Sequence, residues 1–245
     1  MADINTAAII TAGGLGKRFD GTGDTLPKQF IPLSGKPVIA YSILSFESSK
    51  LINEIVIVVP ENWVEYTKTE IVDKFDIKKV SKVISGGDER QDSVEIGLRS
   101  LSKIPSIVAV HDGVRPLVTV QTIDEVITQA EKTGGAIAAI PATDTIKKSD
   151  PEHIIENTLR REDIWFAQTP QAFRYEILKE AFEKASEDSY LGTDEAELVE
   201  RLGKEVKLVK GSKYNIKITT QEDLELGEIF LASSLHRNKK GINHV

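Results

Sequence analysis

Three segments of the sequence place glycines next to charged side chains, a combination that suits binding of a phosphorylated ligand. Segment 12–18 reads AGGLGKR, segment 86–93 reads GGDERQDS and segment 111–116 reads HDGVRP, and each follows an apolar run. Backbone N–H groups of glycine-rich turns bind anions, and neighbouring lysines and arginines neutralise phosphate charge. The pattern favours phosphoryl or nucleotidyl transfer, in which positioning and charge neutralisation provide most of the catalysis.

Four charged residues are the candidates for that chemistry. Arg18 ends the first glycine segment, and Lys28 follows in a loop that returns over the same edge of the predicted sheet. Asp112 and Arg115 follow a buried run, where a carboxylate is well placed to hold hydrated Mg²⁺. His111 is interpreted as a residue that packs in the core or supports a neighbouring site residue, and not as a catalytic one. Together these side chains predict a local cationic pocket with one metal-binding carboxylate.

Asp88 and Asp92 admit two interpretations. Both lie near the start of a predicted helix that carries Val94, so either carboxylate could cap that helix. Each could instead face a ligand bound against Gly86 and Gly87, where the backbone can approach it closely. The residues alone leave both interpretations open.

Composition and missing motifs exclude several classes of protein. The net charge of −7 argues against non-specific nucleic-acid binding. The absence of cysteine excludes disulfide frameworks, thiolate catalysis and cysteine-ligated metals. Thr11 stands where a Walker A loop needs its first glycine, and Phe19 stands where GxGxxG needs its last. No apolar run approaches the roughly 18–20 residues of a membrane span, so we expect a cytoplasmic protein without membrane contacts.

Short β-branched runs alternate with amphipathic stretches along the chain. Strands are predicted at 6–12, 55–59, 80–84, 107–110, 136–140 and 205–209. Helices are predicted from Pro37, after Asn62, through Val94, around Ile123, and over 175–184, 194–202 and 221–235. This alternation implies right-handed crossovers and a mostly parallel, twisted sheet with both faces covered. The prediction is one α/β, Rossmann-like domain over residues 1–236, followed by a polar tail over 237–245.

The alternation breaks at Pro141, and residues 142–166 read as a protruding β-hairpin arm. The turn is predicted at Ser149-Asp150-Pro151. A lone hairpin is marginally stable in water, so the arm must pack on something. Packing on its own domain is possible, but dimerisation through the arm is the favoured interpretation.

Seven motifs in order give the chain a specific resemblance. They are segments 12–18, 27–29 (PKQ), 86–93, 111–116, 168–171 (QTPQ), 193–196 (TDEA) and 215–219 (NIKIT). In these motifs the chain resembles the 2-C-methyl-D-erythritol 4-phosphate cytidylyltransferases. The resemblance implies a nucleotidyltransferase fold and an enzyme that joins CTP to methylerythritol phosphate and releases pyrophosphate, on the non-mevalonate route to isoprenoids.

The resemblance also implies roles on the nucleotide side of the site. Backbone and side-chain groups of several segments would surround the cytidine nucleotide: Ala12, Gly13, Gly14, Gly87, Asp88, Ser93 and Asp112. Arg18 and Lys28 would neutralise the triphosphate and the charge that develops at the α-phosphorus, as catalytic residues. Asp112 would hold the cofactor, Mg²⁺.

On the acceptor side, the resemblance implies a polyol-phosphate site built from Arg115, Thr145, Arg161, Thr169, Thr193 and Lys217. Arg161 and Lys217 would also be catalytic, because they position the attacking phosphate. In the family the arm crosses to a second subunit, so Thr145 and Arg161 would serve the neighbour's site in a homodimer. The attacking phosphate has a second pKa of about 6 and needs no general base at neutral pH.

Three alternatives remain open at this point. Segments 26–30 and 218–220 suit the sister pentitol-phosphate cytidylyltransferases equally well, whereas segments 88–93 and 193–196 favour the methylerythritol enzyme. A CTP-binding module without turnover would have no need for cations directed at an alcohol phosphate. A nicotinamide oxidoreductase is disfavoured by the missing GxGxxG motif.

Overall fold

A seven-stranded sheet forms the centre of the structure, a computed structural model that describes residues 5–13 and 26–239. The strands are β1 (Thr6–Thr11), β2 (Pro32–Leu33), β3 (Lys36–Pro37), β4 (Ile52–Val59), β5 (Val80–Ser85), β6 (Ile107–Asp112), β7 (Gly135–Pro141), β8 (Ile146–Ser149), β9 (Ile155–Leu159), β10 (Trp165–Arg174) and β11 (Lys207–Lys210). The central sheet has the order β11-β7-β10-β6-β1-β4-β5. Adjacent strands of this sheet are parallel, except that β10 runs antiparallel to both of its neighbours, β6 and β7.

Helices follow most strands, as the alternation predicts. They are α1 (Val38–Ser48), α2 (Val64–Thr67), α3 (Arg90–Arg99), α4 (Val120–Thr133), α5 (Tyr175–Glu187), α6 (Glu195–Arg201) and α7 (Gln221–Lys239). A short 3₁₀ helix at Glu61–Trp63 leads into α2, and a π-helical stretch at Lys68–Asp73 continues it. Helix α7 extends to Lys239, beyond the domain boundary predicted at residue 236. None of the helices in 5–13 and 26–239 has the length and apolar character needed to cross a membrane.

Apolar side chains cover both faces of the sheet. Ile9 packs with Val94 of α3 on one face, and Ile10 packs with Ile39 of α1 on the other. Both isoleucines are fully buried, because successive strand residues point to opposite faces and this strand is covered on both. Truncating either one to alanine would cost about 2–5 kcal/mol of stability, so the sheet is a rigid platform for whatever lies at its edges.

Strand β10 was not expected from the sequence. Its segment, WFAQTPQAFR, contains two glutamines and Pro170, which argue against a central strand. The structure accommodates them through an irregularity in the β7–β10 register between Ala167 and Gln171. The antiparallel direction brings the first half of β10 to the edge of the sheet where β6 ends. Thr169 therefore lies next to Asp112, whereas Gln168 contacts Ser212 and Gln171 contacts Asp194.

The predicted arm is present as a hairpin in which β8 pairs with β9, apart from the central sheet. Its C-terminal boundary was placed too late, because Trp165 and Phe166 belong to β10 and pair with β7. Ile154 and Ile155 near the turn are 61% and 60% exposed. Exposed apolar side chains of this kind are compatible with dimerisation through the arm. The structure of a single chain does not test that prediction.

Candidate functional site

A cavity of about 360 Å³ opens at the carboxyl ends of the parallel strands. The register aligns Thr11 of β1 with Asp112 of β6, so the segments that follow these strands leave the sheet side by side. The described residues that line the cavity are Thr11, Ala12, Gly13, Lys28, Gln29, Gly87, Asp88, Glu89, Arg90, Ser93, Asp112, Val114 and Lys217. Every described residue predicted for the nucleotide side is among them. Gly14 and Arg18 lie outside the described residues.

The glycine segment after β5 is packed too closely to accept side chains. A β-carbon added at Gly86 would lie 2.5 Å from Ser93 Oγ, and one added at Gly87 would lie 2.5 Å from Asp92 Cβ. The Ser93 hydroxyl accepts a hydrogen bond from the Gly87 N–H at 3.2 Å and donates to the Glu89 carbonyl at 3.2 Å. Ser93 therefore fixes the conformation of this segment and also lines the cavity itself.

Of the two aspartates with open interpretations, Asp92 belongs to the helix cap. Its carboxylate accepts a hydrogen bond from the Glu89 N–H at 3.0 Å, at the start of α3. Asp88 is exposed and lines the cavity. The structure thus separates the two carboxylates, and Asp88 is the one that can meet a ligand.

Lys28 begins a 3₁₀ turn, Lys28–Phe30, that is anchored on both sides. Gln29 is buried and donates from Nε2 to the carbonyl of Ala12 at 2.6 Å. Phe30 stacks on Trp63 with ring centroids 4.5 Å apart. These contacts hold the backbone of Lys28 against the first glycine segment, as the predicted return of this loop requires.

Asp112 is the electrostatic centre of the cavity. Among the described side chains, its Oδ1 accepts from Arg90 Nε at 3.1 Å, and its Oδ2 lies 3.3 Å from Arg115 Nε and 3.0 Å from Lys217 Nζ. Burial alone would raise the pKa of this carboxyl, but the attraction of Arg90, Lys217 and Arg115 holds the pKa well below its ordinary range. Asp112 is therefore ionised at neutral pH.

Arg90 joins Asp112 to a second buried carboxylate. Its Nη1 and Nη2 donate to Glu195 Oε1 and Oε2 at 2.7 and 3.0 Å, while Nε bonds Asp112. Burial would lower the pKa of Arg90, but Glu195 and Asp112 raise it above its ordinary value. Sequence reasoning assigned no role to Arg90 or Glu195, although both lie inside matching motifs. Their position at the starts of α3 and α6 was the available signal.

His111 and Thr169 support Asp112 from behind. The Thr169 hydroxyl accepts from the Asp112 N–H at 3.1 Å and lies 2.9 Å from His111 Nδ1. His111 Nε2 lies 3.3 Å from the carbonyl of Arg115, so the tautomer with a proton on Nε2 satisfies every contact. Burial, with Asp112 and Arg115 acting in opposite directions, lowers the pKa of His111 to about 3. The ring is neutral and structural, in agreement with its interpretation as a packing residue.

The predicted acceptor-side residues divide into two groups. Arg115 and Lys217 meet at Asp112, and Arg115 Nη1 also donates to the carbonyl of Asn215 at 2.9 Å. Thr169 is buried and its hydroxyl is engaged with His111 and the Asp112 backbone, behind the cavity rather than inside it.

The other acceptor-side residues lie away from the cavity. Arg161 follows the arm and donates to the carbonyl of Thr143 at 2.9 Å, with its side chain 53% exposed. Thr145, at the base of the arm, is also exposed. Thr193 bonds Glu197 and borders a separate groove beside β7 and β10. None of the three is among the described residues that line the cavity, so one chain does not bring the predicted acceptor site together.

Of the three carboxylates that line the cavity, those of Asp88, Glu89 and Asp112, only that of Asp112 is buried, and it is the one predicted to hold a metal ion. Within the described residues no group of three or more His, Cys, Asp or Glu side chains could hold one by themselves. A carboxylate has about four lone-pair positions, and described side chains occupy three of those on Asp112. Mg²⁺ is commonly bound by one or two carboxylates together with substrate phosphates. The donor set therefore fits a metal that arrives with a polyphosphate.

Comparisons with known proteins identify the family of the chain. The profile of the family described as 2-C-methyl-D-erythritol 4-phosphate cytidylyltransferase matches residues 6–233. A relative of that name from Syntrophus aciditrophicus is 46% identical over 224 residues, which cover 91% of this chain and 94% of the relative. One from Geotalea uraniireducens is 42% identical over 232 residues, covering 94% and 98%.

Solved structures show the same fold. The 4-diphosphocytidyl-2C-methyl-D-erythritol synthase of Anaerococcus prevotii superposes with a TM-score of 0.83 at 30% identity and covers 94% of this chain and 97% of that one. The 2-C-methyl-D-erythritol 4-phosphate cytidylyltransferase of Francisella tularensis gives a TM-score of 0.76 at 31% identity, covering 92% and 99%. The predicted α/β, Rossmann-like nucleotidyltransferase fold is confirmed. The chain belongs to the 2-C-methyl-D-erythritol 4-phosphate cytidylyltransferase family.

Proposed function

We propose that the cavity beside Asp112 is the active site in which this nucleotidyltransferase moves a cytidylyl group from CTP to 2-C-methyl-D-erythritol 4-phosphate. The observation that carries the proposal is the convergence of Lys28, Lys217 and Asp112 on the glycine segment around Gly87, in one cavity of about 360 Å³. Glycine backbone, cations and a carboxylate that can hold a metal ion are the groups that a nucleoside triphosphate requires. Family membership supplies the identity of the acceptor.

The reaction requires one bond to form and one to break. An oxygen of the methylerythritol phosphate attacks the α-phosphorus of CTP, and the bond from that phosphorus to the bridging oxygen of the β-phosphate breaks. The electron pair leaves with pyrophosphate, and no proton has to move because the attacking phosphate is mostly dianionic at neutral pH. Lys28 and Lys217 offset the charge that accumulates at the reacting phosphates, an effect that strengthens in a site shielded from water.

The nucleotide would lie against the two glycine segments. Ala12 and Gly13 follow β1, Gly87 and Asp88 follow β5, and all four line the cavity. Glycine is required at position 87 because a β-carbon there would collide with Asp92 Cβ, and a backbone without a side chain lets a flat base approach closely. Ser93 takes part indirectly, by fixing the Gly87 N–H.

A magnesium ion is part of the proposal. Asp112 would hold it together with the triphosphate, using its remaining acceptor position and the place now taken by the half-exposed Lys217. When bound, the metal would neutralise phosphate charge and orient the triphosphate. Lys217 would leave its ion pair with Asp112 and bind substrate phosphate instead. Arg90 and Arg115 would meanwhile keep the Asp112 carboxylate in place.

A shared site in a homodimer completes the proposal. Arg161 and Thr145 flank an arm whose strands pair only with each other among the described residues, and neither residue reaches its own chain's cavity. A second chain that receives the arm would gain both side chains for its acceptor phosphate. The cytoplasmic location stays a prediction.

The proposed function is tested by following pyrophosphate release from CTP. The purified chain is incubated with Mg²⁺ and CTP, together with methylerythritol phosphate, ribitol 5-phosphate or no acceptor. We expect release with methylerythritol phosphate, little with ribitol 5-phosphate, and none without acceptor or with EDTA in place of Mg²⁺. Equal or faster release with ribitol 5-phosphate would assign the chain to the pentitol branch, and CTP binding without release would make it a binding module.

A further inference from the structure

Arg90 is a cation of the cavity for which the reaction chemistry has no direct need. Its guanidinium donates two hydrogen bonds to Glu195, at 2.7 and 3.0 Å, and a third to Asp112 at 3.1 Å. Glu195 is the first residue of α6, and Asp112 is the last residue of β6. The planar guanidinium of Arg90 therefore sets the orientation of two carboxylates that belong to different secondary-structure elements.

Gln91 makes a second connection between the same parts of the chain. Its amide donates to the carbonyl of Tyr190 at 3.0 Å and accepts from the Gly192 N–H at 2.8 Å. Two consecutive residues at the start of α3 thus reach across to segment 190–195. The far side of that segment is fixed to β10, because Gln171 bonds both Asp194 and the N–H of Ala196.

The segments joined in this way carry groups assigned to different substrates. Segment 86–89 leads into α3 and presents Gly87 and Asp88 to the nucleotide side of the cavity. Segment 190–195 contains Thr193, which the resemblance assigns to the acceptor side. Arg90 is bonded to segment 190–195 through Glu195 and to the cavity's carboxylate, so a shift of either segment would turn Asp112.

Stability alone is a poor explanation for this arrangement. Glu195 is 1% exposed and Asp112 is 5% exposed, so both charges have been removed from water. The mutual attraction of buried ion pairs often fails to repay that removal, and apolar side chains of similar volume would stabilise the fold at least as well. A guanidinium, however, offers a planar fork that holds two partners at a fixed angle, which a lysine cannot do.

We infer that Arg90 and Glu195 are positioning residues for the cytidylyl transfer, because together they fix the orientation of Asp112 and the spacing between segments 86–89 and 190–195. The inference rests on the proposed function of the cavity. The pair touches neither reacting phosphorus nor acceptor in this assignment and acts through Asp112. Its loss should therefore slow the chemical step more than it weakens CTP binding, since misplacing a reacting group by about 1 Å can cost about 100-fold in rate.

The test compares Arg90→Lys and Glu195→Gln with a control on the same helix. Arg99 forms an exposed ion pair with Glu95 at 2.6 Å, one helical turn apart, so Arg99→Lys makes the same chemical change outside the cavity. We expect kcat to fall roughly 30- to 100-fold in each cavity variant, with the KM for CTP changed by less than about threefold. Arg99→Lys should retain kcat within about twofold.

The double variant Arg90→Lys with Glu195→Gln separates a shared role from two independent ones. If both residues act through one contact, the double variant should be no slower than the worse single variant. The thermal midpoint of every variant is measured, and the assay is run about 15 °C below the lowest midpoint, so that unfolded protein does not contribute to the rates.

The outcomes distinguish this inference from the proposed function. A wild-type chain that releases no pyrophosphate would contradict the proposed function itself. An active wild type with unchanged kcat in the cavity variants would overturn the inference alone, as would a loss explained entirely by a raised KM for CTP. If Arg90→Lys does not fold, Glu195→Gln decides the matter, because it keeps the shape and one acceptor oxygen of the glutamate.

Discussion

The edge of the sheet and the arm use the same kinds of charged residues in opposite surroundings. At the edge, Asp112 is 5% exposed and contacts Arg90, Arg115 and Lys217. In the arm, Lys148 and Glu156 form a 2.7 Å ion pair, with side chains 61% and 44% exposed. Water screens the arm pair, whereas each buried charge at the edge depends on its partners. The ion pairs of the two regions have similar N–O distances but differ in the free energy that they contribute.

The comparison also shows how much of the reaction one chain can assemble. The nucleotide side, from Gly13 to Asp112, is built from strand ends that the sheet register holds together. The proposed acceptor side includes Arg161, whose side chain donates a hydrogen bond to the Thr143 carbonyl of its own chain. In the proposed function, charge builds up in the buried part of the site, and the arm would place its groups only on a partner subunit.

The largest effect is expected at the edge, from Lys28→Ala. If Lys28 acts on the charge that develops at the α-phosphorus, kcat should fall by about 10²–10³-fold while the KM for CTP rises far less. Steady-state pyrophosphate release with both substrates varied measures the two constants. Lys74→Ala is the matched control, since Lys74 forms an exposed ion pair with Glu70 at 3.1 Å. A normal kcat with only a raised KM would make Lys28 a ground-state binding residue.

A complementation experiment tests whether the arm finishes the site of another chain. Arg161→Ala and Lys217→Ala chains should each be inactive alone, because each lacks one cation for the acceptor phosphate. After random exchange of subunits about half of the dimers are mixed, and each mixed dimer has one intact site if the arm crosses. About a quarter of wild-type activity should then return, at least tenfold above either variant alone.

The controls for this experiment concern mixing and charge geometry. Mass spectrometry of differently tagged chains establishes that mixed dimers have formed. Arg161→Lys should also lose activity, since a lysine cannot make the two parallel hydrogen bonds of a guanidinium to phosphate. Mixed dimers without recovered activity would place Arg161 and Lys217 in one chain's site and contradict the shared-site proposal.

The sequence was sufficient to predict most of the residues that meet at the carboxyl ends of the parallel strands. The rule that ligands lie beyond the carboxyl ends of parallel strands correctly brought together Ala12, Gly87 and Asp112. This works because strand ends are local features, marked by the change from apolar runs to glycine and charge. The position of Lys28 beside the cavity could also be predicted, because its loop has to return over the same ends of the strands to reach the next helix.

Tertiary pairing explains what the sequence could not reveal. Arg90 and Glu195 are 105 residues apart, and nothing in either local pattern specifies the other as its partner. Strand β10 was missed because Pro170 and two glutamines contradict the pattern of a central strand. Those polar residues are retained for long-range contacts: Gln168 bonds the carbonyl of Ser212, and Gln171 bonds Asp194. The misjudged strand is thus one that supports the site.

A smaller effect is expected from His111, whose burial makes the free energy of unfolding depend on pH. The pKa of His111 is lowered from 6.5 to about 3 in the folded chain, so below pH 6.5 the unfolded chain takes up a proton that the folded chain does not. The stabilisation is fully present above pH 6.5 and is lost as the pH falls towards 3. At pH 5 the loss is about 2 kcal/mol, from roughly 1.4 kcal/mol per pH unit below 6.5.

Urea unfolding at pH 7 and pH 5 measures this loss. His111→Gln should show about 2 kcal/mol less pH dependence than the wild type, since its neutral amide can donate and accept without titrating. Asp112 also loses stabilisation on acidification, but its ordinary pKa of 3.8 places that loss at lower pH. Equal pH dependence in the variant and the wild type would show that His111 is not held neutral by burial.

The smallest effect is expected in the arm, from the Lys148–Glu156 pair. Since both side chains are largely exposed, a double-mutant cycle with Lys148→Ala and Glu156→Ala should give a coupling of about 0.2–1 kcal/mol, weakened further by salt. The cycle is measured by urea unfolding at low and at 0.5 M salt. A coupling above about 1.5 kcal/mol that salt leaves unchanged would mean that a partner covers the pair in solution. The arm would then resemble the edge, with its charges buried between chains, and the contrast between the two regions would hold only for an isolated subunit.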